Sequence, residues 1–211
     1  MNGLLPELRK LKKIFPGKFI IPAEVKWEII ERPMNIKRFE LEALKLESLV
    51  KDGILESPES LGIKKEAISI ETKKLLEFAN NTFFEKGQKE IHLIDLGETA
   101  CVALSKMLNE KGIKNVLLID ERTTRMLCEK PENLKKLLQK KMHVRIDIKK
   151  ENLKHFKGMK IARSTELAYI AYKKGIVRIK NSKILDALLY ALKFKGCAIS
   201  TEEIKKIKKL G

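Results

Sequence analysis

The chain has 211 residues, enough for one domain with a sizeable buried core or for a domain with an extension, and its formal net charge is +17. No apolar run is long enough to span a membrane and the N-terminus carries no signal-peptide pattern, which points to a cytoplasmic protein with no membrane partner. Cys101, Cys128 and Cys197 are odd in number, far apart and without Cys-x-x-Cys spacing; His92, His143 and His155 are equally scattered. That pattern excludes a disulfide scaffold and a zinc framework, and reads as buried thiols of a reducing compartment.

Taken in order, Met1–Phe15 is a short amphipathic helix, broken at Pro16-Gly17. Lys18–Ile21 is a short strand. Ala23–Arg32 is a helix closed by Pro33, with Val25, Ile29 and Trp27 inward and Glu28 upon it. Ile36–Val50 is a second amphipathic helix whose apolar set is Phe39, Leu41, Leu44, Leu46, Leu49 and Val50. Ile54-Leu55 is a short edge strand, and residues 64–87 are mostly helical, with Leu75, Leu76, Phe78 and Phe83 packing.

The stretch 91–125, IHLIDLGETACVALSKMLNEKGIKNVLLIDERTTR, organises the rest. Asp95 is placed to cap a helix and Glu98, three residues on, to complete a capping box. Ala100, Cys101, Leu104, Met107 and Leu108 then recur at helical spacing, up to Lys111-Gly112. Val116–Ile119 is an unbroken apolar run, as in a strand buried on both faces of a parallel sheet. Asp120 and Glu121 follow it directly, where open α/β sheets bind ligands. Clustered carboxylates at such a point suit a hard divalent cation.

Beyond this unit, Thr123–Cys128 is a helix interrupted by Pro131, residues 133–141 form another turn or two, and Val144–Ile148 alternates like an added strand. Lys149–Lys160 is basic, and Met159–Ala162 returns to the sheet. Thr165–Lys174, Ser182–Lys195 and Thr201–Leu210 are three helices, with Ser164 or Thr165, and Ser200 or Thr201, as N-caps. Charge is uneven. Residues 135–209 hold 22 Lys+Arg against 6 Asp+Glu, whereas the remainder holds 23 against 22. A basic half beside a carboxylate-bearing half suits a polyanion held while metal chemistry proceeds elsewhere. Lysine enrichment from heat adaptation is the alternative, but that would raise Glu along with Lys.

Four stretches in order resemble prokaryotic PIN-domain proteins of the VapC-like ribonuclease family. "FIIPAEVKWEI" is similar to their Ile-Ile-Pro-x-x-Val-x-x-Glu-Leu, "LGETACVAL" to Gly-Glu-x-x-Ala, and "VLLIDERTTR" to a hydrophobic run followed by Asp-Asp-Arg-x-x-Arg. "IARSTELAYIAYKKGIV" resembles a C-terminal segment of one subgroup. The resemblance implies an α/β fold, a three-layer α/β/α sandwich with a mainly parallel central sheet. It would form a single domain over residues 1–211, with a basic insertion at 130–158 and a basic, mainly helical part at 159–211. It also implies Mg2+ or Mn2+ held by Glu28, Glu98, Asp120 and Glu121, with Glu98, Asp120 and Glu121 catalytic. Three departures stand out. The family's opening strand, with its Asp, is absent from the chain as written, through either a start codon assigned too far downstream or degeneration. Glu121 replaces the usual second Asp, and Ile119 stands where Thr or Ser is common. Ser164 replaces a Gly.

Carboxylate-held metal ions can supply the nucleophile, the charge neutralisation and the leaving-group help that phosphodiester hydrolysis needs. Each acid also has a plainer reading. Glu28 is an exposed helical charge, Glu98 part of a capping box, Asp120 a cap of the following helix, and Glu121 a favourable charge at that helix's dipole. Arg122 and Arg125 are placed to touch phosphate, or Arg125 to hold a site carboxylate. Lys149, Lys150, Lys154 and Lys157 are expected to hold RNA through its phosphates. Two functions remain open: a metal-dependent endoribonuclease, as toxin or RNA-processing enzyme, and a nucleic-acid-binding protein whose site is too incomplete to cut. An antitoxin partner and a homodimer are compatible with either.

Overall fold

The structure is a computed structural model that describes residues 4–85 and 91–210. The expected start of the first helix at Met1, and the expected end of the 64–87 helix at Gly87, lie outside the described residues.

Helix α1 (Leu5–Ile14) leads into β1 (Phe19–Ile20), which pairs in parallel with β2 (Leu55–Glu56). Between them run α2 (Ala23–Lys26), a π-helix (Trp27–Glu31), α3 (Arg32–Met34) and α4 (Glu40–Lys51). Two expectations fail here. The helix does not close at Pro33 but runs on to Met34, and Trp27 is not inward but 50% exposed. Trp27 stands two positions, about 200° of helix, from Val25 and so faces away from it, and a π-turn follows. The Arg32 N–H donates to the Trp27 carbonyl, five residues back. Side chains five apart then share a face, so Ile30 rather than Ile29 joins Val25's side and is buried. On α4 the buried residues are Ala43 and Leu49, whereas Phe39, Leu41 and Leu44 face solvent. The expected apolar set is thus split, because only the narrow Ala43–Leu49 face meets the rest of the chain.

A 3-10 turn (Pro58–Leu61) and α5 (Lys65–Asn80) follow. Phe83 does not extend that helix. It begins β3 (Phe83–Glu85), which pairs antiparallel with β5 (Ile146–Ile148). Helix α6 (Leu96–Glu110) packs along α5. Gly112, at φ 70°, closes it as expected of a left-handed cap. Strand β4 (Leu117–Leu118) pairs in parallel with β6 (Ile161–Ala162), the Leu117 N–H donating to the Lys160 carbonyl at 2.8 Å. The apolar run around β4 is not buried on both faces. Leu117 and Ile119 are buried, whereas Val116 and Leu118 are 60% and 52% exposed. Helix α6 covers one face of β4 and the other is open, so alternation replaces the uniform burial expected of a central strand.

Helices α7 (Arg122–Glu129) and α8 (Pro131–Met142), a 3-10 helix (Lys150–Phe156), α9 (Ser164–Lys173), α10 (Ile184–Phe194) and α11 (Thr201–Lys209) complete the chain. The main core joins α5, α6, α7 and α8 to β3, β4 and β5 through residues such as Leu75, Phe83, Val102, Leu127, Leu134 and Ile146. Leu185, Leu189, Cys197, Ile199 and Ile204 form a second cluster between α10 and α11. The protein is therefore α/β, with two parallel strand pairs and one antiparallel pair in place of one continuous sheet among the described residues. Among those residues no helix is long and apolar enough to cross a membrane.

Candidate functional site

Glu28 and Glu98 both lie at the start of α6, and Asp95 precedes it. Asp95 takes the N-cap backbone position, but its side chain caps nothing and lies 3.2 Å from His92. The expected capping box does not form, so Glu98 is left with no local structural duty. Its Oε2 is buried without a hydrogen-bond partner. Burial pushes the Glu98 carboxyl above its ordinary value, partly opposed by its own backbone N–H; the charges of Asp95, Glu28 and Glu121 push it further up.

Glu28 reaches this point from the π-helix, its carboxylate lying against Gly97. A Cβ at Gly97 would come within 2.9 Å of the Glu28 carboxyl carbon. Glycine costs helix stability relative to alanine, so its place in the first turn of α6 has a packing reason. Glu28 and Glu98, 70 positions apart in the chain, therefore share one small volume. Glu121, at the end of the β4 segment, caps α7, accepting from the Thr123 and Thr124 N–H groups at 2.7 and 2.6 Å. Its plainer reading as a helix-start charge is realised, yet its charge still acts on Glu98.

Asp120 turns elsewhere. Its Oδ1 accepts from the Ser164 N–H at 2.7 Å, at the start of α9 rather than α7, and it is not among the charges that act on Glu98. Among the described residues, no three His, Cys, Asp or Glu side chains already stand in a metal-holding arrangement.

The cations divide as well. Arg125 touches no carboxylate of this group. Its Nη1 donates to the Ala198 carbonyl at 3.2 Å and its guanidinium lies 3.9 Å from Glu129, so it braces the fold. Arg122 is exposed on the first turn of α7. Lys149, Lys150, Lys154 and Lys157 are exposed along the end of β5 and the 3-10 helix, Lys149 lying 5.6 Å from the Phe84 ring centre. Lys106 of α6 acts on His155 of that 3-10 helix. The basic stretch thus flanks α6 about 12 Å along its axis from Glu98.

Arg163 went unnoticed in the sequence, since arginine is not a helix-capping type. It precedes α9, where neither Ser164 nor Thr165 is the N-cap. Its guanidinium binds Glu166 at 2.6 Å, Glu203 at 2.8 Å and the Ala198 carbonyl at 3.2 Å. The Ala198 N–H in turn donates to the Asp120 carbonyl at 3.2 Å. The backbone of one residue, Ala198, therefore ties the end of β4 to α7 and, through Arg163, to α9 and α11. Burial of Cys101 and Cys128 pushes both thiols up to about 12, so they remain protonated and inert.

No protein-family model, no curated protein and no solved structure matches the chain.

Acid should act on the groups in opposite senses. Burial alone would raise Glu203, but the Ser200 backbone N–H and Arg163 bring it down to about 2; Lys18 and Lys12 bring Glu56 to about 2. Both bind protons less readily folded than unfolded. Their contribution is intact above pH about 4.5 and is lost as pH falls toward about 2. Glu98 has the other sign, since protonation relieves its folded-state cost. Thermal melts from pH 6 to 2 should show stability falling below pH about 4.5, and Glu203→Gln should flatten that fall. An unchanged profile in Glu203→Gln would contradict the assignment.

Proposed function

We propose that this protein is a PIN-like, metal-dependent endoribonuclease whose Mg2+ or Mn2+ site is built on Glu28 and Glu98. The observation that carries the reading is the buried, unpartnered Oε2 of Glu98, on which the charges of Asp95, Glu28 and Glu121 act. A buried carboxylate oxygen with no donor is costly, and a hard cation is the partner that would remove both that cost and the mutual repulsion. An all-oxygen donor set favours Mg2+ or Mn2+ over zinc. Glu121 and Asp120 keep lone pairs beyond those already engaged, which suits them as lesser ligands.

When bound, the ion would neutralise phosphate charge and lower the pKa of attacking water. The chain's own contribution is placement. Gly97 admits the Glu28 carboxylate, α6 fixes Glu98, and the Glu121 cap holds its carboxylate at the start of α7. The two parallel strand pairs, each followed by helix, are compatible with a PIN-like arrangement. A toxin or an RNA-processing role fits equally.

One observation favours the binding-only alternative: both Glu121 oxygens and Asp120 Oδ1 already serve helix starts. Incubating labelled RNA with the protein in Mn2+, in Mg2+ and in EDTA separates the two. Cleavage only with metal supports the nuclease. Retained RNA and no fragments under all three conditions would overturn it in favour of binding.

The basic half should hold RNA through its phosphates. Reversing Lys149, Lys150, Lys154 and Lys157 to Glu should weaken binding to all sequences alike and reduce the salt slope by about 3. Unchanged affinity and slope would place the RNA elsewhere.

A further inference from the structure

Beside the carboxylates lies a cleft of about 470 Å3, within the range of small-molecule pockets. Trp27, Glu24 and Lys26 line it from one side, Ser57 and Glu59 from the end of β2, and Leu96 from the start of α6. Its lining stops one residue short of Gly97, on which the Glu28 carboxylate rests. Trp27 is 50% exposed here, and Leu96 is 46% exposed. An indole is normally well covered, whereas this one is exposed and opens a π-turn, a rare feature that recurs at functional sites.

The charges around it narrow the ligand. Lys26 pairs with Glu31 at 3.0 Å, Lys12 and Lys18 pair with Glu56, Glu24 accepts from the Ser69 hydroxyl at 2.7 Å, and of the other two charges lining the cleft the cation of Lys65 acts on Glu59. Arg32 has no carboxylate partner among the described residues, and its guanidinium lies 5.7 Å from the Trp27 ring centre. With one cation already on the indole, a second on its open side is repelled. A flat, uncharged ring attached to an anion is complementary to both groups.

We propose that the open face of Trp27 stacks a nucleobase of single-stranded RNA, with Arg32 meeting its phosphate. This inference rests on the nuclease reading for the nature of the ligand, and it adds a base-binding subsite next to Glu28. Stacking on an aromatic ring tolerates any base, so the subsite fixes where the strand lies rather than which sequence it has.

Trp27 is the sole tryptophan, so its emission reports this site alone. A single-stranded oligoribonucleotide should quench that emission saturably in Mg2+, whereas an abasic oligomer of equal length should not. Trp27→Ala should weaken oligomer binding about 5- to 150-fold with an unchanged salt slope, and Trp27→Phe should restore most of the loss. Glu98→Gln should keep the quenching while losing cleavage, so the stacking site and the metal site fail separately. Unchanged emission at saturation, equal quenching by the abasic strand, or full affinity in Trp27→Ala would overturn the proposal. Quenching by an arginine-rich peptide but not by RNA would overturn it too, in favour of a cationic protein partner.

Discussion

Glu98→Gln is expected to cut metal-dependent RNA cleavage by more than about 100-fold, while leaving the metal-free protein at least as stable as the parent. Most substitutions of half-buried residues destabilise. This one should not, because the surroundings of Glu98 disfavour its charged form. It is partly desolvated, one oxygen has no donor, and three acids surround it. The amide removes the charge and keeps the shape. Melting temperatures in EDTA should therefore match or exceed those of the parent, and added Mn2+ should stabilise the parent alone. A large loss of stability in EDTA would mean that Glu98 serves the fold.

Arg163→Met is expected to destabilise by about 2–4 kcal/mol, or roughly 5–15 °C in melting temperature. The arginine is 11% exposed in its side chain and satisfies Glu166, Glu203 and the Ala198 carbonyl together. Its two acidic partners are 39% and 43% exposed, which keeps the figure below that of a fully buried network. Arg163→Lys should recover little, because an ammonium cannot reproduce a planar fork aimed at three acceptors. Arg125→Met, which loses one carbonyl contact and a 3.9 Å pairing, should cost less. Urea denaturation of the three variants tests the ranking. An Arg163→Met protein within about 0.5 kcal/mol of the parent would refute the network's importance.

Helices were the legible part of the sequence. The apolar spacing of α6, its end at Gly112 and an N-cap of α11 at Ser200 or Thr201 are local signals, and each is realised, the cap at Ser200. Strands were less so. Phe83–Glu85 continues the apolar rhythm of α5, and only its distant partner Ile146–Ile148 makes it a strand. The Val116–Ile119 run shows apolar character but not which faces are covered, and pairing on one side left half of it exposed. The π-turn at Trp27 leaves no pattern in composition at all.

The candidate site was legible in its residue types and not in their partners. Glu98 fits a capping box as well as it fits a metal site; only the failure of Asp95 to cap, and the arrival of Glu28 against Gly97, distinguishes the two. Asp120 was expected to cap the next helix, and instead meets the Ser164 N–H, 44 positions away. Gly97 carried a usable signal, since a glycine in the first turn of a helix asks for a reason.

The most direct measurement is calorimetric titration of Mn2+ into the RNA-free protein and into Glu98→Gln. Saturable binding to the parent is expected, weakened at least about tenfold in the variant, with Asp120→Asn losing less. Equal binding to the parent and to Glu98→Gln, or no binding to either, would contradict it.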